Sequence, residues 1–509
     1  MRSLLLTFIL FPIFFPLLLA QKEDNVWLLG GNFNSPDSLY KACRIDFGND
    51  SLSITYINKG LPYDFTNASI CNAAGHLLCF TNGENLYNRN YEIMDGGSNF
   101  YPNANFEGGV PYLQGYMLLP MPGDSNKVVH IYGNPKVVFP PSGANIGYIK
   151  LRYAVVDMSQ NNGLGKVIQR DILAGTDTVS FMQMTAVRHG NGRDWWVIIP
   201  HYVDHIYYRY LLSPQGLHYI DKQFIATTNV GLGQACFSPD GQWYARFNWH
   251  GIIPDSSFST FDVFQFDPCL GLLGNRITKT YDFSGPAGKP GGVAFSPSSR
   301  YLYVTRWDSV FQYDLQAPDI VASEVTVAVY DYFADELGLP TRLFYPLLAP
   351  DNKIYICVSN YNSSYLHVIE HPDSAGLGSN LQQHAVRLPV SNNTLLPNMP
   401  YYRLGKWIGS PCDTLNTVST VQAPRQGERF LLFPNPANSE IQLSFAGPVE
   451  GDCRIEIFDL TGQLVGRQKM AAGESGITVQ TGLLQNGIYL LCVRENGRLT
   501  GQQKFSILH

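Results

Sequence analysis

The chain has 509 residues, of which 15% are charged and 13% aromatic, with 47 Gly, 32 Pro and a formal net charge of -6. So mild a negative balance excludes the basic surface that nucleic acid requires, and the length exceeds one ordinary domain. Many aromatic residues, Gly and Pro, with no long amphipathic helical stretch, describe an all-β protein rich in tight turns.

Met1-Arg2-Ser3 is followed by an apolar run from Leu4 to Leu19 that Pro12 and Pro16 interrupt, then by Ala20-Gln21 and a charged segment. This is a signal-peptide pattern over residues 1–20, with cleavage expected after Ala20. Two prolines in so short a run disfavour a spanning helix, which needs about 20 apolar residues. No later stretch approaches that length, so no transmembrane anchor is expected once the signal is removed. No Cys follows the apolar run, which argues against a lipoprotein. The nine cysteines show no Cys-x-x-Cys spacing of a structural zinc site. Cys453 and Cys492 both fall in predicted strands, and their pairing stays open because sequence does not show whether those strands are adjacent.

From Val26 to about Gly405 one supersecondary unit recurs at a loose period near fifty residues. Its clearest copies are Phe-Ser-Pro-Asp-Gly-Gln-Trp-Tyr-Ala at 237–245, Phe-Ser-Pro-Ser-Ser-Arg-Tyr-Leu-Tyr-Val at 295–304 and Leu-Ala-Pro-Asp-Asn-Lys-Ile-Tyr-Ile-Cys at 348–357. Weaker copies stand at 73–80, 122–131 and 189–198. Each reads as strand, tight turn, strand: Pro presets φ, Asp accepts local backbone hydrogen bonds, and Gly or Asn tolerates positive φ. A second motif follows several hairpins, an alternating strand that often closes on an acid, as at Asp157, Asp267, Asp314 and Glu370. With 26–31 and 39–46 as a first copy there are seven units. Seven four-stranded units spaced by about 54 residues predict a seven-bladed β-propeller over 21–406.

Asn-Ala-Ala-Gly-His-Leu-Leu-Cys-Phe-Thr-Asn-Gly at 72–83, continuing to Gly97, resembles the propeller-like N-terminal regions of Bacteroidota surface and gliding-associated proteins. So do Val-Val-Asp-Met-Ser-Gln-Asn-Asn-Gly-Leu-Gly at 155–165 and Thr-Ala-Val-Arg-His-Gly-Asn-Gly-Arg-Asp-Trp-Trp-Val at 185–197. That resemblance implies architecture and brings no catalytic motif.

No catalytic constellation emerges from the residues themselves. Ser-Pro-Asp-Gly-Gln-Trp at 238–243 has the wrong spacing for a sialidase Asp-box, and Gly-x-Ser-x-Gly and His-Glu-x-x-His are absent. His201 and His205 lie among strand formers, where four residues of strand separate them by about 13 Å, too far for a shared metal. Asp157, Ser159, Asn161 and Gly163 faintly outline a calcium loop that lacks its closing acid; calcium is the one cofactor considered, and none is required. Trp195-Trp196, Trp243, Trp249 and Trp307 read first as filler between blades. Some of them, with Arg188, Arg193, Arg246 and Arg306 near in sequence, could gather at one mouth of the ring. Arg188, Arg193, Trp195, Trp249, Arg306 and Trp307 form the expected ligand face.

Residues 407–429 lose periodicity and turn to Ser, Thr, Pro, Gln and Gly, a linker composition. Beyond them about seven short strands with Gly- and Asn-rich turns predict a small Ig-like β-sandwich at 430–509. Phe-Pro-Asn-Pro-Ala-Asn at 433–438, Ile-Glu-Ile-Phe-Asp-Leu-Thr-Gly at 455–462, Leu-Gln-Asn-Gly-Ile-Tyr-Leu-Leu at 484–491 and a terminal Lys-Phe-Ser-Ile-Leu run occur there in that order. Together they resemble the type A C-terminal sorting domain of the type IX secretion system of Bacteroidota, through Pro434, Asn435, Pro436, Asp459, Gly462, Gly487, Tyr489 and Lys504. Phe433, where Tyr is common, departs from the pattern. The resemblance implies passage by the Sec route to the periplasm, recognition by the outer-membrane translocon, removal by a sorting peptidase, and release or attachment at the outer surface. The expected function is a non-enzymatic β-propeller that binds a glycan, peptide or surface protein; the alternative is a polysaccharide hydrolase or lyase with carboxylates at the propeller mouth.

Overall fold

The computed structural model describes residues 21–413 and 430–507, apart from 32–40, 50, 60, 62, 64, 102–108, 134–135, 139–145, 181–182, 202–204, 226–232, 250–257, 283–288, 359–362, 393–395, 434–436, 438, 446–448, 450, 460–461 and 475. The expected signal peptide therefore lies outside the described residues. The chain forms two compact units, 1–416 and 417–509.

The first unit is a succession of antiparallel sheets in chain order. Blade 1 comprises Val26–Gly30, Ala42–Asn49 and Ser51–Ile57, and blade 2 comprises Ala68–Cys71, Leu77–Thr81 and Leu86–Asn88. Blade 3 comprises Met117–Pro120, Lys127–Tyr132, Ile146–Asp157 and Lys166–Ser180, with the short Lys136–Val138 beside its third strand. Blade 4 comprises Thr185–Arg188, Trp195–Pro200, Ile206–Ser213 and Gly216–Phe224; blade 5, Ala235–Phe237, Trp243–Trp249, Phe258–Asp267 and Leu272–Asp282. Blade 6 comprises Gly291–Phe295, Tyr301–Arg306, Ser309–Asp314 and Val325–Val329; blade 7, Leu343–Leu348, Ile354–Val358, Ser363–Ile369 and Leu381–Asn392. Among the described residues blades 1 and 2 show three strands each, where the sequence pattern predicts four.

Shared apolar cores close the circuit. Val26 and Leu28 pack with Cys71 and Phe80 between blades 1 and 2. One core runs from Ile70 through Val129 to Trp195 and joins blades 2, 3 and 4. Trp196 and Tyr207 meet Tyr244 and Phe264 between blades 4 and 5, and Phe247 and Phe261 meet Val304 and Tyr313 between blades 5 and 6. Tyr303 and Val310 meet Ile354 and Ile356 between blades 6 and 7. Finally Tyr355 and Val368 of blade 7 pack on Trp27 and Ile45 of blade 1. Each fully buried side chain of this kind contributes about 1.5–3 kcal/mol relative to exposure. The result is an all-β, seven-bladed propeller.

The repeated turn chemistry has one geometry. At the first hairpin of five blades a carbonyl accepts from the N–H three residues on: Asn72 from Gly75, His189 from Gly192, Ser238 from Gly241, Ser296 from Ser299 and Ala349 from Asn352, at 2.8–3.0 Å. The donor residue has positive φ every time, from 63° to 88°, which is why Gly or Asn recurs there. The acids that end the third strands cap the following turn. Asp157 Oδ1 accepts from the Ser159 N–H at 2.9 Å, Asp267 Oδ1 from the Cys269 N–H at 2.8 Å, and Asp314 Oδ1 from the Gln316 N–H at 3.0 Å.

The second unit is a two-sheet sandwich. One sheet orders Phe430–Phe433, Glu440–Phe445 and Gly476–Gln480; the other orders Leu464–Met470, Cys453–Phe458, Gly487–Glu495 and Arg498–Ile507. Their inner faces share a core that includes Ile441, Leu443, Ile455, Leu491, Val493 and Phe505. Cys453 and Cys492 lie on neighbouring strands but out of register, since Cys453 faces Glu495 and Cys492 faces Glu456. Both remain free thiols.

Candidate functional site

The axis of the ring is the natural place to look for a ligand, and the chain itself fills it. After blade 7 the segment 396–403 returns along the axis as a strap. Asn398 Nδ2 donates to the carbonyls of Tyr116 at 2.9 Å and Met184 at 3.3 Å, and its N–H donates to Asn67 O at 2.7 Å. One residue thus ties the starts of the inner strands of blades 2, 3 and 4. Further along, the Tyr402 hydroxyl donates to Leu118 O at 2.8 Å, Arg188 Nη2 donates to Tyr402 O at 3.2 Å, and Arg403 Nη2 meets Asp24 Oδ1 at 2.7 Å. Val26–Gly30 runs opposite to the inner strand of blade 2, because Asn67 Nδ2 donates to Leu28 O while the Cys71 N–H donates to Glu23 O. The strap runs with the other inner strands and takes the place of a fourth, innermost strand in blade 1. Pro397 and Pro400 lack the N–H a ladder needs, so the Asn398 N–H bond to Asn67 is joined by side-chain bonds from Asn398, Tyr402 and Arg403.

Two cavities of about 50 Å³ and 40 Å³ flank Met399 of the strap. Small-molecule sites usually occupy about 300–1,000 Å³, so these two cavities beside the strap are small for a ligand of that kind. Beyond the axis the strap crosses the first turns of blades 4 and 5. A Cβ on Gly192 would stand 2.8 Å from the Lys406 backbone, and one on Gly241 would stand 2.5 Å from Leu404 Cδ2. Residues 407–413, which the composition assigns to the linker, pack here: the Trp407 N–H donates to Gly190 O at 2.8 Å, and Cys412 forms a disulfide with Cys269 of blade 5. Both cysteines follow a proline outside any strand, a signal the sequence carried. The seven others all lie in strands.

Arg188, Arg193 and Trp195 sit where the strap emerges. The Arg188 guanidinium lies 4.1 Å over the buried Trp195 ring, and burial lowers its pKa to about 10. Arg193 pairs with Asp194 at 2.7 Å. Burial raises the Asp24 pKa to about 6 against the pull of Arg403, and raises that of Glu23. Trp249, Arg306 and Trp307 lie at the opposite end of the ring. Trp249 pairs with Ser259, and Arg306 Nε donates to Ser259 Oγ at 3.3 Å while its guanidinium stands 4.8 Å from the Tyr281 ring. Trp307 lies under the Arg342 guanidinium at 5.6 Å. The six residues therefore form two groups of three on opposite faces. Arg246 is buried against Asp262 at 3.1 Å.

His201 and His205 lie between the second and third strands of blade 4, and the His201 N–H donates to Ile206 O at 2.7 Å, so the straight-strand separation does not apply. Asp157 spends Oδ1 on the Ser159 N–H and hydroxyl and Oδ2 on Gln160, and Asn161 donates to Gly165 O. Among the described residues no three His, Cys, Asp or Glu side chains cluster as a metal site. No described helix is long and apolar enough to cross a membrane. A groove of about 600 Å³ opens on the outer side of blades 1 and 7, under the turn at 335–337.

In the sandwich the motif positions are mostly builders of the fold. Asp459 O accepts from the Gly462 N–H at 3.0 Å and its Oδ1 accepts from the Gln463 N–H at 2.9 Å, with Gly462 at φ 83°. Gly487 opens a strand, and the buried Tyr489 donates its hydroxyl to Gln485 O at 2.8 Å. Lys504 is exposed and faces Leu490 across the ladder. Pro434, Asn435 and Pro436 lie outside the described residues.

Residues 431–508 match the family described as Secretion system C-terminal sorting domain. The protein is thus an exported β-propeller that carries a type IX secretion sorting domain, the address of secreted and outer-surface proteins. No curated protein matches the chain. Solved structures similar to it include a protein from Lactobacillus plantarum, 11% identical, TM-score 0.40, covering 73% of this chain and 98% of that one. A candidate 6-phosphogluconolactonase from Bacteroides fragilis is 13% identical, TM-score 0.40, covering 73% and 97%. A hypothetical selenium-binding protein from Sulfolobus tokodaii is 10% identical, TM-score 0.41, covering 74% and 93%. At those scores the likenesses bear on neither activity nor ligand.

Proposed function

We propose that this protein is a non-enzymatic binding module of the cell exterior, whose propeller engages a glycan, peptide or surface protein from its outside. The observation that supports this reading is the strap: it occupies the axis, bonded to the inner strands of blades 2, 3 and 4, where a propeller hydrolase or lyase would gather its carboxylates, and the acids beside it, Asp24 and Glu23, are buried next to Arg403 and Arg188. The route is Sec export to the periplasm, recognition of the sorting domain by the type IX translocon, and its removal by a sorting peptidase, with release or attachment at the surface. No cofactor takes part.

The test is to incubate the purified mature chain with a panel of polysaccharides and with outer-surface extracts of the producing cell, measuring binding by calorimetry and new reducing ends or unsaturated sugars in parallel. Saturable binding without product is the expected result. Turnover of any polysaccharide that survives further purification would overturn it.

A further inference from the structure

The groove on the outer side of the ring forms where the two ends of the propeller meet. Tyr56, from the outermost strand of blade 1, supplies one wall; Arg387 and Pro389, from the outermost strand of blade 7, supply the other; Asp335, Glu336 and Leu337 overhang it. Its volume of about 600 Å³ falls within the ordinary range for small-ligand sites.

The overhang is built to hold its shape. Asp335 Oδ1 accepts from the N–H groups of Leu337 at 3.0 Å and Leu339 at 2.9 Å, and Ala334 bridges to Pro340. Behind it Phe333 stacks on His384 at 4.2 Å, and His384 Nε2 lies 2.9 Å from Asp331. Glu336 Oε1 accepts from the Tyr365 hydroxyl at 2.8 Å and pairs with Arg387 Nη2 at 2.8 Å. Its backbone and Tyr365 hydrogen bonds hold its carboxyl below the usual range, so it is ionised at neutral pH. Pre-ordered walls of this kind lower the entropic cost of binding.

The chemistry of the walls selects among ligands. The Glu336 and Arg387 side chains remain 54% and 68% exposed, so together they offer acceptors and donors to a ligand whose groups do both. Their charges already neutralise each other, which disfavours a ligand that is itself charged. Tyr56, 38% exposed, offers an amphipathic ring on which the C–H face of a sugar can stack. A peptide added as an extra strand needs an edge with continuous donors, and Pro389 interrupts the blade 7 edge. Building on the binding role above, we propose that this groove is a subsite for a short, neutral oligosaccharide stacked on Tyr56 and hydrogen-bonded by Glu336 and Arg387.

The experiment screens the purified mature chain against cello-, xylo-, manno- and laminari-oligosaccharides and an oligogalacturonate, then repeats the titration with Tyr56→Ala, Arg387→Ala and Tyr56→Phe. At least one neutral oligosaccharide should bind. Tyr56→Ala and Arg387→Ala should each weaken it tenfold or more with the melting temperature unchanged, and Tyr56→Phe should restore most of the affinity. A neutral ligand indifferent to both alanine variants, or binding of the oligogalacturonate alone, would overturn the groove assignment and leave the wider binding role standing. If no oligosaccharide binds while a surface protein does, the groove proposal fails; if nothing binds at all, both readings fail.

Discussion

His130, in the second strand of blade 3, is fully buried with neither ring nitrogen hydrogen-bonded. Phe100 lies 4.7 Å away, Tyr132 5.0 Å and Tyr116 6.1 Å. Desolvation, helped by the positive charge of Arg170, lowers its pKa from 6.5 to about 3. The unfolded chain therefore binds a proton on this residue at pH values where the folded chain does not. The contribution of neutral His130 to stability is complete above pH 6.5 and is lost as pH falls toward 3, which amounts to about 2 kcal/mol by pH 5. In His130→Phe that loss has no source. Unfolding of wild type and variant in denaturant at pH 7.5 and pH 5 should show their stability difference shifting by about 2 kcal/mol in favour of Phe. A pH-independent difference would mean that the folded protein protonates or hydrates this imidazole. At this scale sequence was informative wherever the chemistry is local. The capping acids Asp157, Asp267 and Asp314 bond to residues two positions on, whereas of the rings around His130 only Tyr132 is near it in sequence, and Phe100 and Tyr116 come from earlier segments.

The same division governs the elements. First hairpins were legible because Ser-Pro-Asp-Gly encodes its own turn, and the alternating strands between them fixed a repeat of blades. The strap was not legible, since 396–403 has no period and its partners, Asn67, Tyr116 and Met184, lie far back in the chain. The groove was hidden for a related reason: Tyr56 and Arg387 become neighbours only when the ring closes. The disulfide fastens the strap after it crosses blade 4, and the loop it closes spans 143 residues. Cross-links over long loops typically contribute about 2–4 kcal/mol. The double variant Cys269→Ser/Cys412→Ser should lose about that much unfolding free energy. Hydrogen exchange should accelerate at 398–407, with the inner strands of blades 5 and 6 unchanged. Equal stability and unchanged exchange after the double substitution would show that the strap is held by Asn398, Tyr402 and Arg403 without its latch.

For the whole molecule, everything that closes the ring lies before residue 414: seven blades, the strap, the Arg403–Asp24 pair and the disulfide. The sandwich has a core of its own, from Phe430 to Ile507, and the sorting-domain match is confined to 431–508. Address and cargo are thus separable in physical terms, because each unit has an apolar core built from its own residues. Deleting 430–509 should leave a protein whose melting transition and disulfide are those of the intact ring, yet which accumulates in the periplasm. Fractionation, with protease added to whole cells, distinguishes a protected periplasmic pool from a surface one. The reciprocal chimera, a periplasmic reporter with its own signal peptide followed by 414–509, should reach the surface or the medium. Surface delivery of the truncated ring would place the address within the propeller. Failure of the chimera together with retention of the truncated ring would mean that export also reads a feature of the blades.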